Sequence, residues 1–156
     1  MMKGDKVSLL RIMQVFILVM AITFTSCGSS RSMDIHRMYD EIIVNSEWPQ
    51  MDMITDDYIL STRFLIEDTS QFENIMVMQC PASAVRSEII LIKTDDVRSA
   101  YDLLEQRREK AIDRDSLYPE DKKIAERSIV GTVGDTAYFL MGESAEDAEK
   151  IILEMK

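Results

Sequence analysis

Two residues, Gly134-Asp135, separate the short apolar runs Ser128–Val133 and Thr136–Met141, and no other feature restricts the fold of this chain so sharply. A glycine followed by aspartate suits the two central positions of a tight turn that needs positive φ, and β-branched and aromatic residues on either side favour pleated backbone. The pattern predicts an antiparallel hairpin. A second pair of runs, Ile75–Cys80 and Glu88–Lys93, flanks Pro81-Ala82-Ser83-Ala84 and reads as another pair of adjacent antiparallel strands.

Helical periodicity fills the spaces between and around these strands. Asp34 can cap a helix running to about Ser46, because Ile35, Met38, Ile42 and Ile43 recur near helical spacing and Trp48-Pro49 stops it. Asp56 to Phe64 suits a second, shorter helix, with Leu65 and Ile66 compatible with strand. Thr94-Asp95-Asp96 offers caps ahead of Val97, Ala100, Tyr101, Leu104, Ala111 and Ile112, an amphipathic stripe broken by Asp113-Arg114-Asp115. Pro119 opens a further piece through about Glu126, since proline is tolerated in a first helical turn. Ser144, with Asp147 three residues on, reads as the cap of a last helix whose apolar face is Ala148, Ile151, Ile152 and Met155. The expected fold is therefore α+β. It comprises a small antiparallel sheet of two hairpins, about four strands, with helices packed on one face and an N-terminal helix in front.

The first 33 residues have a different character. Lys3, Lys6 and Arg11 against Asp5 give residues 1–26 a net charge of +2, and Ile12 to Phe24 form an apolar run interrupted only by Gln14 and Thr23. A run that short is below the roughly 20 residues a spanning helix needs and within the range of an export signal. Thr25 and Ser26 place small residues before Cys27, and here the segment resembles the lipoprotein signal, which ends in a cysteine, although Phe24 stands where that signal usually has Leu. Residues 1–26 are expected to be a lipoprotein signal peptide, Cys27 the lipidated residue, 27–33 a tether, and 34–156 a single domain. Several acyl chains on Cys27 would hold the chain stably at the extracytoplasmic face of the cell membrane.

Removing that leader raises the acidity, from a net charge of −10 for the whole chain to −12 for residues 27–156. Phosphate backbones draw affinity from clustered Lys and Arg, so nucleic acid is excluded as an expected partner. Acidity is compatible with a cationic protein or peptide and otherwise serves solubility.

No catalytic, cofactor-binding or metal-binding set emerges. With Cys27 lipidated, Cys80 is left alone and is expected to pack as a small hydrophobe. His36 is the one histidine, so a Ser-His-Asp arrangement would have to use it. Asp113-Arg114-Asp115 begins like a calcium loop, but Leu117 at its fifth position and Ile124 at its twelfth break the ligand pattern. Asp56-Asp57 and Asp95-Asp96 read as helix-start carboxylates, and Gly131-Thr132-Val133-Gly134 lacks the ending of a phosphate loop. Arg107-Arg108, late in the long helix, would complement its C-terminus, or bind an anion or a partner carboxylate. Met76 and Met78, among 12 methionines, suit core filling or an adaptable peptide surface. The expected function is a non-enzymatic binding module at the cell envelope, with an envelope protein or peptide as partner. An accessory enzyme using acidic residues in a cleft is the alternative.

The segment Ser87-Glu88-Ile89-Ile90-Leu91-Ile92-Lys93, the helix carrying Arg107-Arg108, Leu117-Tyr118-Pro119 and the hairpin from Val130 through Leu140 together resemble the bacterial lipoprotein family known as domain of unknown function 4358, found mainly in Clostridia. The likeness spans about 64–156 together with the leader. It implies a lipid-anchored extracytoplasmic domain and carries no functional residues to map.

Overall fold

The computed structural model describes residues 33–82, 86–116 and 118–155, so the expected signal peptide, most of the tether and Cys27 lie outside the described residues. In chain order the elements are α1 (Ile35–Asn45), β1 (Asp52–Met53), α2 (Asp57–Phe64), a 3-10 turn (Thr69–Gln71), β2 (Asn74–Gln79), β3 (Glu88–Lys93), α3 (Val97–Asp113), α4 (Pro119–Glu126), β4 (Ile129–Val133), β5 (Thr136–Met141) and α5 (Ala145–Glu154). The five strands form one sheet in the order β1-β2-β3-β5-β4, antiparallel throughout. The architecture is α+β.

Both expected hairpins form. β2 pairs with β3 from Asn74↔Lys93 to Gln79↔Glu88, and β4 pairs with β5 from Ile129↔Leu140 to Val133↔Thr136. Between β4 and β5, Gly134 has φ +57° whereas Asp135 stays at negative φ. Only the first turn position needs the left-handed region, the sign pattern of a II′ rather than a I′ turn. The hairpins join through β3 and β5, whose pairing runs from Glu88↔Met141 to Lys93↔Thr136. The short β1, which no pattern in the sequence predicts, adds an edge through Asp52↔Gln79 and Met53↔Met78.

Helices cover both faces of the sheet, where the sequence predicts them on one. β5 is buried along its whole length and β3 at every residue but Lys93. A strand buried on both sides reads as a continuous apolar run rather than an alternation, which is what Ile89-Ile90-Leu91-Ile92 and Ala137-Tyr138-Phe139-Leu140-Met141 are. On one face Met76, Met78, Ile89, Leu91, Tyr138 and Leu140 meet Ile35, Met38 and Ile42 of α1 and Ala148 and Ile152 of α5. On the other, Val77, Ile90, Ile92, Ala137 and Phe139 meet Leu60 and Phe64 of α2, Ala100, Leu104 and Ala111 of α3, and Ala125 of α4. Burying each large aliphatic side chain contributes about 1.5–3 kcal/mol, so each layer of helices is held chiefly by a few such residues.

Helix ends follow the sequence with two exceptions. Asp34, Asp56 and Asp96 cap α1, α2 and α3, their carboxylates accepting from the backbone N–H of His36, Ile59 and Ser99. Leu65, expected to be helix end or strand, adopts left-handed backbone at φ 64° and stops α2, with its N–H and that of Ile66 both donating to the Leu60 carbonyl. Ser144 occupies the cap position of α5 without capping it, because its hydroxyl donates instead to the Glu47 carbonyl and ties α5 to the segment after α1.

Candidate functional site

The site is built where β2 ends and β3 begins, on the face covered by α2, α3 and α4. Residues at alternate positions of a strand share a face, so Glu88 points the same way as Ile90 and Ile92, into the layer below α3. A carboxylate buried there at 1% exposure requires a cation, and α3 supplies one. Ala100, Leu104, Arg107 and Ala111 recur at spacings of four, three and four and are the buried residues of that helix. Arg107 thus occupies a core position, with no exposure at all.

The Arg107 guanidinium is fully used. Nη2 donates to Glu88 Oε1 at 2.7 Å and Nε to Oε2 at 3.2 Å, a two-donor grip along one edge of the planar group. Nη1 donates to Asp115 Oδ2 at 2.6 Å, and the charge also lies over the Phe64 ring, 5.3 Å from its centroid. Lys110, almost one turn further along α3, bonds Asp115 Oδ1 at 3.3 Å and the Arg63 carbonyl at 3.1 Å. Burial alone would raise the Asp115 carboxyl, but the Arg107 charge and hydrogen bond, together with Lys110, outweigh it and hold the group below its ordinary value.

Beside this cluster opens a cleft of about 380 Å³, walled by Arg63, Arg86, Glu88, Asp115, Gln79 and Tyr118. Arg63 shares two partners with Arg107: its guanidinium lies 5.7 Å from the Phe64 centroid and 3.9 Å from Glu88 Oε1. With its amide turned so that oxygen faces the cation, Gln79 accepts from Arg63. Arg86 Nη1 donates to the Asp115 carbonyl at 2.7 Å. Four cations, Arg63, Arg86, Arg107 and Lys110, thus gather around Glu88, Asp115 and Asp121 in a domain that is otherwise strongly acidic.

The residues singled out in the sequence distribute as follows. Arg107 binds carboxylates of its own chain, while Arg108 stays at the surface near Glu105 at 3.6 Å. Asp115, part of the failed calcium pattern, is an anchor of the arginine cluster. Cys80 is buried, unpaired, and reaches the cleft wall. His36 is exposed on α1, the helix on the opposite face of the sheet from the cleft, and so is separated from Ser87 within it. Met76 and Met78 pack in the core against α1 and α5. Gly131 to Val133 lie in β4 and Gly134 in the turn. Among the described residues no group of three or more His, Cys, Asp or Glu side chains could hold a metal ion, and no helix is long and apolar enough to cross a membrane.

Sequence reasoning missed Arg63, Gln79, Arg86 and the pairing of Glu88 with Arg107. The sequence carried only a coarse signal: both arginines fall within the apolar stripe of α3, Arg108 four residues after Leu104 and four before Ile112, and the burial of Ala100, Leu104 and Ala111 beside Arg107 is what separates them.

Comparison with known proteins matches residues 45–142 to a family described as Domain of unknown function (DUF4358). That span contains every residue of the cleft and its ion-pair cluster, and leaves all but the last residue of α1, and all of α5, outside it. No curated protein and no solved structure matches the chain. The chain belongs to the DUF4358 family.

Proposed function

We propose that this chain is a lipid-anchored extracytoplasmic lipoprotein whose domain is a non-enzymatic binding module for an envelope protein or peptide. The observation that carries the binding reading is the cleft beside Arg107. The buried charges of Arg107, Glu88 and Asp115 are committed to holding one another in place, so they make a rigid charged wall instead of a poised acid–base or nucleophile–base pair. Its small volume suits one or two side chains or a chain end. The address is supported by the cationic start, the short apolar run and the small residues before Cys27. The net charge of −12 in residues 27–156 weighs against nucleic acid as a partner.

A second reading, an accessory enzyme using acidic residues, is favoured by one observation: Glu88 and Asp115 share the cleft wall. The depressed Asp115 carboxyl argues against it, because a general acid at neutral pH needs its pKa raised.

Intact mass of the protein from the detergent phase of a bacterial membrane preparation, beside a Cys27→Ala control, tests the address. Loss of residues 1–26 with an added diacylglycerol, absent in the control, is expected. A full-length, unmodified mass would overturn it.

A further inference from the structure

Among the described residues, Arg86 carries the one buried guanidinium edge of the cleft that is left without a hydrogen-bond partner. Its Nη1 is used by the Asp115 carbonyl, whereas Nε and Nη2 are both buried and have no hydrogen-bond partner among the described residues. These two nitrogens lie on the same edge of the planar group, and their N–H bonds point in parallel, the arrangement that takes both oxygens of one carboxylate. The same chain shows the arrangement filled: Arg107 uses its own Nε and Nη2 on the two oxygens of Glu88 and its Nη1 on Asp115. Arg86 repeats the Nη1 half of that scheme, on the Asp115 carbonyl.

Nearby acidic groups do not fill the Arg86 Nε–Nη2 edge. Glu88 is gripped by Arg107 and Asp115 by Arg107 and Lys110. Asp121, in the same cleft, and Glu47 and Glu143, in an adjoining cleft of about 250 Å³, make no bond to the Arg86 edge. Arg86 and Ser87 form the wall shared by the two clefts. Both free nitrogens are closed to solvent in this arrangement, so a ligand reaches them only when the Arg86 side chain rotates about its single bonds.

We propose that the Arg86 Nε–Nη2 edge, with Arg63 beside it, binds the carboxylate of an exogenous ligand, either a small carboxylic acid or the free C-terminus of a peptide. This deepens the binding-module reading and rests on it for the cleft's role, though not on the lipid anchor. A phosphate can engage the same fork but is a poorer match here, because the cleft also presents three carboxylates that repel a dianion more than a monoanion.

The test is titration of the full-length chain in mild detergent, following the Arg Nε–H resonances by NMR, with acetate, with N-acetyl-dialanine as free acid, with its C-terminal amide, and with inorganic phosphate. One saturable Arg resonance, absent from Arg86→Lys, is expected to move with the free acids and not with the amide. Arg86→Lys should weaken binding at least tenfold, because an ammonium cannot present two parallel donors, while Arg98→Ala on the exposed side of α3 should bind as the parent does. Binding of N-acetyl-dialanine much tighter than acetate identifies a peptide end, and equal binding identifies a small acid. No saturable shift with either acid, equal binding by Arg86→Lys, or preference for phosphate would each overturn the assignment. If Cys27 proves unmodified while the acids bind, the anchor reading fails and the carboxylate site stands; a lipidated chain that ignores both acids keeps its anchor and loses the site.

Discussion

Removing the Arg107 charge while leaving Glu88 in place should be among the most damaging single changes available to this domain. In Arg107→Met the Glu88 carboxylate, 1% exposed, loses all three hydrogen bonds from Arg107 and, among the described residues, retains as cation only Arg63 at 3.9 Å. A buried ion pair broken on one side costs about 3–5 kcal/mol, most of it the penalty for a charge left in an apolar layer. The paired change Arg107→Met/Glu88→Leu removes both charges and keeps comparable volume between Phe64 and β3, so most of that loss should return. What remains is the effect on Asp115, which forfeits its 2.6 Å bond, keeps Lys110 at 3.3 Å, and is 21% exposed, so that water replaces the lost donor. A residual of about 1 kcal/mol follows, and the coupling between the two sites should be at least about 2 kcal/mol. Urea unfolding of the parent, both single variants and the double variant, followed by far-UV circular dichroism and compared at constant slope, reads each contribution. A cost below about 1 kcal/mol for Arg107→Met alone, or a double variant no more stable than that single one, would refute a Glu88 charge that depends on Arg107.

Two further outcomes follow from the same geometry. Because the folded-state Asp115 carboxyl lies below its ordinary value, its contribution is complete above the unfolded pKa and is lost as pH falls from about 4 toward the folded one; the urea midpoint of Asp115→Asn should therefore fall less steeply than that of the parent between about pH 5 and pH 3, and parallel curves would refute the assignment. Gly131 lies opposite Tyr138 in the β4–β5 ladder, and a Cβ there would run into the Tyr138 ring, whose hydroxyl bonds Glu149 at 3.2 Å; Gly131→Ala should cost about 1–3 kcal/mol in thermal or urea unfolding, and a neutral result would show that the ring gives way freely.

Local signals in the sequence located most elements closely, because caps and turn residues act within a few positions of themselves. Asp34, Asp56 and Asp96 each mark a helix start, Pro119 opens α4, and Gly134 marks the β4–β5 turn. What stayed hidden depends on partners distant in the chain. The adjacency of β3 and β5 joins two hairpins separated by α3 and α4, and no local pattern encodes it. Likewise β1 is a strand only because β2 offers it an edge. The second covered face was written in the unbroken apolar runs of β3 and β5, the mark of a strand buried on both sides. At the site, the apolar stripe of α3 takes in Arg107 and Arg108 alike, the carboxylates that Arg107 meets come from β3 and from the turn after the helix, and Arg86 acquires its role only through the Asp115 carbonyl.

The packing of α1 beside α5 sets an order of assembly. α1 meets α5 on the sheet, yet every strand and three helices intervene between them in the chain. As the polypeptide emerges in N-to-C order, at synthesis rates of about 5–20 residues per second, the α2–α3–α4 layer and its strands are all available before α5 is. Through that interval, on the order of 5–20 s, the stripe Ile35, Met38 and Ile42 lacks the helix that completes its layer. The first of the described helices to be made is thus among the last to be fully covered, and its apolar stripe is the surface that a holding chaperone would meet on the newborn chain.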